Sequence, residues 1–251
     1  MHDPSLMPHQ EMAVGELKNG NILKGGVGSG KTRTGLAYYV AKGGAPWTPL
    51  IVITTAKKRD TGDWQHEASL WGVEVTVDSW NNLPLYMDRR DHFFIFDEQR
   101  VVGSGVWVKA FTTLAKHNQW ILLSATPGDT WLDYIPVFVA NGFYKNRTDF
   151  LRDHVVYSRF AKFPKVERIY GTQKLARLLQ SILVEMPYER HTVRHEAEIY
   201  ADYDKELYNT VWRKRWNFIE ERPIRSTAEL FSLLRAVVNT HPSRLERIRD
   251  L

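Results

Sequence analysis

The stretch Ile22-Leu23-Lys24-Gly25-Gly26-Val27-Gly28-Ser29-Gly30-Lys31-Thr32 constrains the fold of this 251-residue chain more than any other. Gly25, then four residues, then Gly30-Lys31-Thr32 has the spacing of a phosphate-binding loop, which needs a strand before it and a helix after it. Its glycines permit backbone angles that turn successive N–H groups inward at phosphate oxygens, and the helix that follows presents its positive end. Gly25, Gly26, Val27, Gly28, Ser29 and Gly30 are thus candidate nucleotide contacts. Lys31 is expected to reach the β and γ phosphates of ATP, and Thr32 to ligate Mg2+ through its hydroxyl.

The surroundings agree with such a loop. Apolar strand-like runs at 22–24, 50–55, 73–77, 93–96 and 120–123 alternate with amphipathic stretches at 32–42, 63–71 and 106–116. Alternation of this kind predicts an α/β fold, a parallel sheet covered by helices on both faces. From about residue 147 the pattern changes. Leu175, Leu178, Leu179 and Ile182 recur at helical spacing, as do Leu230, Leu233, Leu234 and Val237, so a mainly helical extension is expected there. The predicted division is a nucleotide-binding domain over 1–145 and a helical extension over 146–251.

A phosphate loop implies a nucleotide but not its hydrolysis. His92-Phe93-Phe94-Ile95-Phe96-Asp97-Glu98-Gln99-Arg100 supplies the further element. Its apolar residues form a buried strand that delivers Asp97 and Glu98 to the strand's C-terminal end, where open α/β sheets bind ligands. Asp97 is placed to hold the magnesium shell, and Glu98 to orient and deprotonate an attacking water. Another buried run ends in Ser124-Ala125-Thr126-Pro127. Its small hydroxyl residues could hydrogen-bond Glu98 and relay the state of the γ-phosphate.

Composition narrows the classes. With no cysteine there is neither a disulfide framework nor a thiolate metal site. No run approaches the ~18 apolar residues of a membrane span, and the first ten residues lack a signal-peptide core; the expectation is a cytoplasmic protein with no membrane partner. Of 34 basic and 29 acidic residues, 19 and 14 fall in 151–251, which leaves the first 150 balanced at 15 each. That asymmetry suits a polyanion such as DNA and equally a solvated basic face.

In this order the Gly-rich loop, the Asp-Glu strand and the Ser-Ala-Thr strand resemble the first RecA-like motor lobe of superfamily 2 helicases and translocases, most of all the Swi/Snf-like branch. The resemblance implies an ATP-driven motor acting on duplex DNA without reading its sequence. Leu6-Met7-Pro8-His9-Gln10 is similar to that family's upstream element, which implies that Gln10 reads adenine. Residues 50–72 look like the next block, which implies backbone contacts at Thr55, Lys57 and Lys58, then a helix carrying Trp64 and Glu67. Lys57 and Lys58 read equally well as a solvated helix start. Residues 77–83 resemble the element before the Asp-Glu strand and add Ser79 and Trp80 as DNA candidates, although a tryptophan here is more often packed than stacked. Residues 234–242 resemble the helical stretch that runs toward the second lobe. One departure is Gln99-Arg100, where relatives carry Ala-His or Ala-Asp; Arg100 is left as a candidate phosphate contact or partner of an acid.

The family sandwiches ATP between two lobes, and the second contributes an arginine that can accelerate transfer by roughly 10³ to 10⁵. No second strand–helix alternation follows residue 140. The expectation is therefore one lobe with connecting helices, completed by a second RecA-like lobe in a longer chain or in trans, and weak or inactive alone. The tract 212–216, three cations between two tryptophans on an expected helix, is a candidate contact for DNA or that lobe. Two other readings fit parts of the pattern. One is the ATPase part of a viral DNA-packaging motor, whose downstream acidic nuclease cluster is missing here. The other is a non-catalytic nucleotide-binding scaffold, against which the intact Lys31, Thr32, Asp97 and Glu98 argue.

Overall fold

The computed structural model describes residues 5–42, 44, 47–98, 101–160, 163–187, 198 and 200–249. Gln99 and Arg100 lie outside them. The chain divides into two compact units, Met1–Arg190 and His191–Leu251.

The first unit is built on strands β1 (Ile22–Gly25), β2 (Leu50–Thr54), β3 (Val75–Ser79), β4 (Phe93–Asp97) and β5 (Gln119–Ser124). A short antiparallel ribbon follows, β6 (Val155–Tyr157) with β7 (Val166–Ile169), and then β8 (Leu183–Met186). Five of these strands and β8 form a six-stranded sheet in the order β3-β2-β4-β5-β1-β8, parallel throughout. Both faces are covered, so the central strands β2, β4 and β5 are nearly continuous apolar runs, whereas the edge strands β3 and β8 carry polar residues such as Asp78 and Glu185. In β4, Phe94 and Phe96 belong to one core cluster and Phe93 and Ile95 to the other. That is the two-residue period of a strand buried on both sides.

Helix α1 (Pro8–Glu16) precedes β1, and α2 (Lys31–Lys42), α3 (Ala56–Asp60), α4 (Asp63–Leu70) and α5 (Val106–Ala115) lie between successive strands. Leu36, Tyr38 and Tyr39 of α2 and Trp64 and Ala68 of α4 pack on the face of Phe93. The opposite core takes Phe111 and Leu114 of α5, with Ile135, Val137 and Phe138 of α6 (Ile135–Ala140). Further along, α7 (Arg147–His154) leads into the ribbon and α8 (Thr172–Ile182) into β8. The division expected at 145/146 falls inside this unit, because β8 pairs with β1 from Ile22↔Leu183 to Gly25↔Met186.

The second unit contains α9 (Lys205–Lys214), a two-residue antiparallel pair β9 (Trp216–Asn217) and β10 (Arg222–Pro223), α10 (Thr227–Asn239) and α11 (Ser243–Arg249). It has its own core of Val211, Leu230, Leu233, Leu234 and Val237. Asp204 and Ser226 cap α9 and α10 by accepting from the Leu207 and Glu229 N–H groups, the usual N-cap chemistry. The tract 212–216 is not one helix. Arg215 takes a left-handed φ of 54° and ends α9, so that Trp216 begins β9. Among the described residues no helix is long and apolar enough to cross a membrane.

Candidate functional site

The C-terminal ends of β1, β2, β4 and β5 meet at one edge of the sheet, the edge where parallel sheets bind ligands. At Gly25 the chain leaves β1 and turns through the loop into α2. Gly28 and Gly30 have φ of 83° and 81°, a left-handed conformation open to glycine. A Cβ on Gly30 would also stand 2.0 Å from Gln10 Nε2. Gln10 is buried; its Oε1 accepts from the Met7 N–H at 2.9 Å, and its Nε2 donates to the Ser29 carbonyl at 3.3 Å. It braces the loop through its amide, and the adenine-reading role implied for it would require one of these bonds to open.

Gly30→Ala is accordingly expected to destabilise the protein by about 1–2 kcal/mol through its left-handed backbone alone, and by more because Gln10 must move. Thermal denaturation checks this. In a double-mutant cycle with Gln10→Ala the two losses should be less than additive, since the alanine methyl strikes the Gln10 amide.

Lys31 is folded onto the loop, its Nζ donating to the Gly25 and Gly26 carbonyls at 2.8 and 2.9 Å. Burial lowers its pKa below the ordinary lysine value, with Lys58 lowering it further and Asp97 and Glu98 opposing. Asp97 is fully buried at the end of β4. Its Oδ2 accepts from Thr54 Oγ1 and Trp64 Nε1, both at 3.0 Å, and pairs with Lys58 Nζ at 2.8 Å. Its Oδ1 is buried without a hydrogen-bond partner.

The next residue, Glu98, holds a φ of 59°, a strain of about 1–3 kcal/mol for a residue other than glycine. Its N–H donates to the Leu123 carbonyl at 3.1 Å, tying the turn to β5. Its carboxylate meets Lys58 Nζ at 3.2 Å. Lys58 thus serves both acids, and its ammonium stands 5.7 Å from the centre of the Trp64 ring. Burial works against this ammonium, but the charges and hydrogen bonds of Asp97 and Glu98 outweigh it and raise its pKa.

A cavity of about 500 Å³ gathers most of these groups. Val27, Gly28 and Gly30 line it from the loop, Lys31 and Thr32 from the start of α2, Lys58 from α3, Glu98 from the turn after β4, and Ser124, Ala125 and Thr126 from the end of β5 and the turn after it. A smaller cavity of about 280 Å³ is lined by Thr55, Lys57, Lys58, Thr61, Asp63 and Glu98. Lys58 and Glu98 therefore stand between the two. A further groove, about 700 Å³, lies where β2 and β3 begin, lined by residues such as Pro49, Leu50 and Val75. It has no lysine or arginine in its lining and lies away from the loop and the acids, so we do not assign it to phosphate chemistry.

Several expected roles change in this setting. Ser79 and Trp80 are buried, and the Trp80 indole donates to the Asp97 carbonyl at 3.1 Å; neither offers a surface to DNA here. Thr55 caps α3 by accepting from the Lys58 N–H, and Lys57 is exposed. Lys58, expected at a DNA backbone, instead faces Asp97 and Glu98. Ser124 Oγ accepts from the Thr126 N–H at 3.1 Å within its own turn, and the Glu98 carboxylate accepts from Lys58 Nζ. Trp64 and Glu67 lie on α4 as implied. Trp64 donates to Asp97, and Glu67 binds Arg33 of α2 at 2.6 Å. The part of Thr54 was missed in the sequence, although a threonine ending a buried strand beside an acidic strand end is a usable signal.

The parallel sheet, its order and the strand–loop–helix at Gly25 define a RecA-like α/β fold, followed by a mainly helical second unit. No family model and no curated protein matches the chain. Among solved structures, the crystal structure of the Pyrococcus furiosus Hef helicase domain is similar, with a TM-score of 0.40 and 16% identity. The similarity covers 60% of this chain and 40% of that one.

Proposed function

We propose that this chain is the ATP-binding lobe of an ATP-dependent helicase or translocase that moves along DNA. The observation that carries the reading is Asp97. It is fully buried at the sheet edge, with one oxygen held by three protein donors and the other without a partner, and its neighbour Glu98 lines the cavity of Lys31 and Thr32. An unsatisfied buried acceptor costs about 1–3 kcal/mol, and the hydration shell of a divalent cation would satisfy it. The residues present therefore fit Mg2+ with ATP: Thr32 and Asp97 would hold the metal, and Lys31 and the loop N–H groups the phosphates. When bound, the metal neutralises charge on the β and γ phosphate oxygens.

The chain's own residues do the rest on this reading. Lys31 exchanges the Gly25 and Gly26 carbonyls for phosphate oxygens. Glu98 orients a water and takes its proton, while Lys58 sets where that carboxylate points. Among the described residues no arginine lines the cavity. The arginine that speeds phosphoryl transfer then comes from a second lobe, in the same chain or in trans. Thr55 and exposed Lys57 adjoin the Lys58–Glu98 pair in the smaller cavity, which supports coupling between a duplex backbone, contacted without base readout, and the candidate base.

Calorimetric titration with ATP, with and without magnesium, tests the reading. The parent should bind roughly tenfold to hundredfold more tightly with the metal, and Asp97→Asn should lose that increment. Equal magnesium dependence in both proteins would remove Asp97 from a metal role and the proposal with it.

A further inference from the structure

Resting on the magnesium–triphosphate reading of the cavity, we infer that this site holds nucleoside triphosphates by their phosphates and is indifferent to the base, so that ATP is one of several substrates. Telling adenine from guanine needs a group that complements the edge of the ring. Adenine sets an N6 donor beside an N7 acceptor where guanine has two acceptors, and the two ends of a glutamine amide match the adenine pattern. Gln10 is the amide that packs on the loop.

Both ends of that amide are engaged within the protein. Met7 is the N-cap of α1 and Pro8 its first residue, which makes Gln10 the third helical residue. A glutamine there turns back to the N-cap, and Oε1 accepts from the Met7 N–H at 2.9 Å. The other end, Nε2, donates to the Ser29 carbonyl at 3.3 Å. His9 Nε2 lies 3.2 Å from the same carbonyl, and since a carbonyl can only accept, that ring nitrogen carries the proton. The amide also lies against the loop backbone, because a Cβ on Gly30 would stand 2.0 Å from Gln10 Nε2. Gln10 is only 5% exposed. Turning it toward a base would take a partner from the loop carbonyl or from the N-cap N–H, and that loss offsets what the base contact supplies.

The lining of the cavity agrees. Loop residues, Lys31, Thr32, Lys58, Glu98 and the end of β5 surround it, groups that suit phosphate oxygens, a cation and water. Among the described residues the lining holds no aromatic ring to stack a base and no amide to read its edge. A site with polar groups placed for one substrate rejects an analogue by about 10⁴ to 10⁵, and a site without them by far less.

Calorimetric titration of the full chain with magnesium and ATP, GTP, CTP, UTP or tripolyphosphate tests this. The four nucleotides should bind within about threefold of one another, less than the factor of about ten that a single base hydrogen bond would supply. At a temperature where both proteins are folded, Gln10→Ala should weaken all five ligands by one common factor of about threefold to tenfold, through the loosened loop. Tripolyphosphate has no base, so an equal loss there separates a brace from a reader. A parent preference for ATP over GTP of about tenfold or more, or a Gln10→Ala loss confined to ATP, would overturn base indifference and leave the phosphate site standing. The parent series decides by itself should Gln10→Ala fail to fold. Absence of magnesium-dependent binding for all five ligands would instead remove the phosphate site, and base indifference with it.

Discussion

Lys31→Ala is expected to weaken magnesium–ATP binding by about two orders of magnitude or more. Hydrogen bonds to a charged group contribute about 1.5–3 kcal/mol each, and the lysine would make them to two phosphates, while about 1.4 kcal/mol is a factor of ten. The starting state limits the loss. Lys31 already donates to the Gly25 and Gly26 carbonyls, so only the difference between those acceptors and phosphate oxygens appears as affinity. Burial helps that difference, since a partly desolvated ammonium with a lowered pKa gains more from phosphate charge than a fully hydrated one. Calorimetry on parent and variant checks the expectation. Equal affinities would show that the loop between β1 and α2 does not bind phosphate.

The loop could be read from sequence because its chemistry needs contiguous residues: positive-φ glycines, a lysine and a hydroxyl residue within one turn. Asp97 and Glu98 were legible for the same reason, as an acidic pair closing a buried run. β8 was not. Leu183-Val184-Glu185-Met186 follows directly on the helical periodicity of α8, and only the open edge of β1 makes those residues a strand. For Trp80 the resemblance implies a DNA contact while residue type favours packing, and the fold takes the second: an indole N–H in a core needs an acceptor, and it has the Asp97 carbonyl. Lys58 is the most instructive case. A lysine looks the same in sequence whether it faces solvent, phosphate or a buried acid, and here its partner Glu98 is 40 residues away along the chain.

Lys58→Met is expected to destabilise the protein by about 3–5 kcal/mol, because removing one member of a buried ion pair strands the other. Asp97 is 0% exposed and the Lys58 side chain 20%, so little solvent is available to screen the lost charge. Thr54 and Trp64 still donate to Oδ2, which puts the loss toward the lower end of that range. The cause can be isolated with Asp97→Asn. If the uncompensated carboxylate is the source, the double variant should recover much of the loss, a coupling that two independent packing defects would not produce. Magnesium provides a second discriminant. A divalent cation taken up at the unpartnered Oδ1 supplies the missing positive charge, so millimolar magnesium should raise the melting temperature of Lys58→Met more than that of the parent. It should do nothing comparable for the double variant, which no longer carries the charge. Equal magnesium shifts in all three proteins would mean that the cation binds elsewhere, and that Asp97 is a structural acid with Lys58 as its permanent partner.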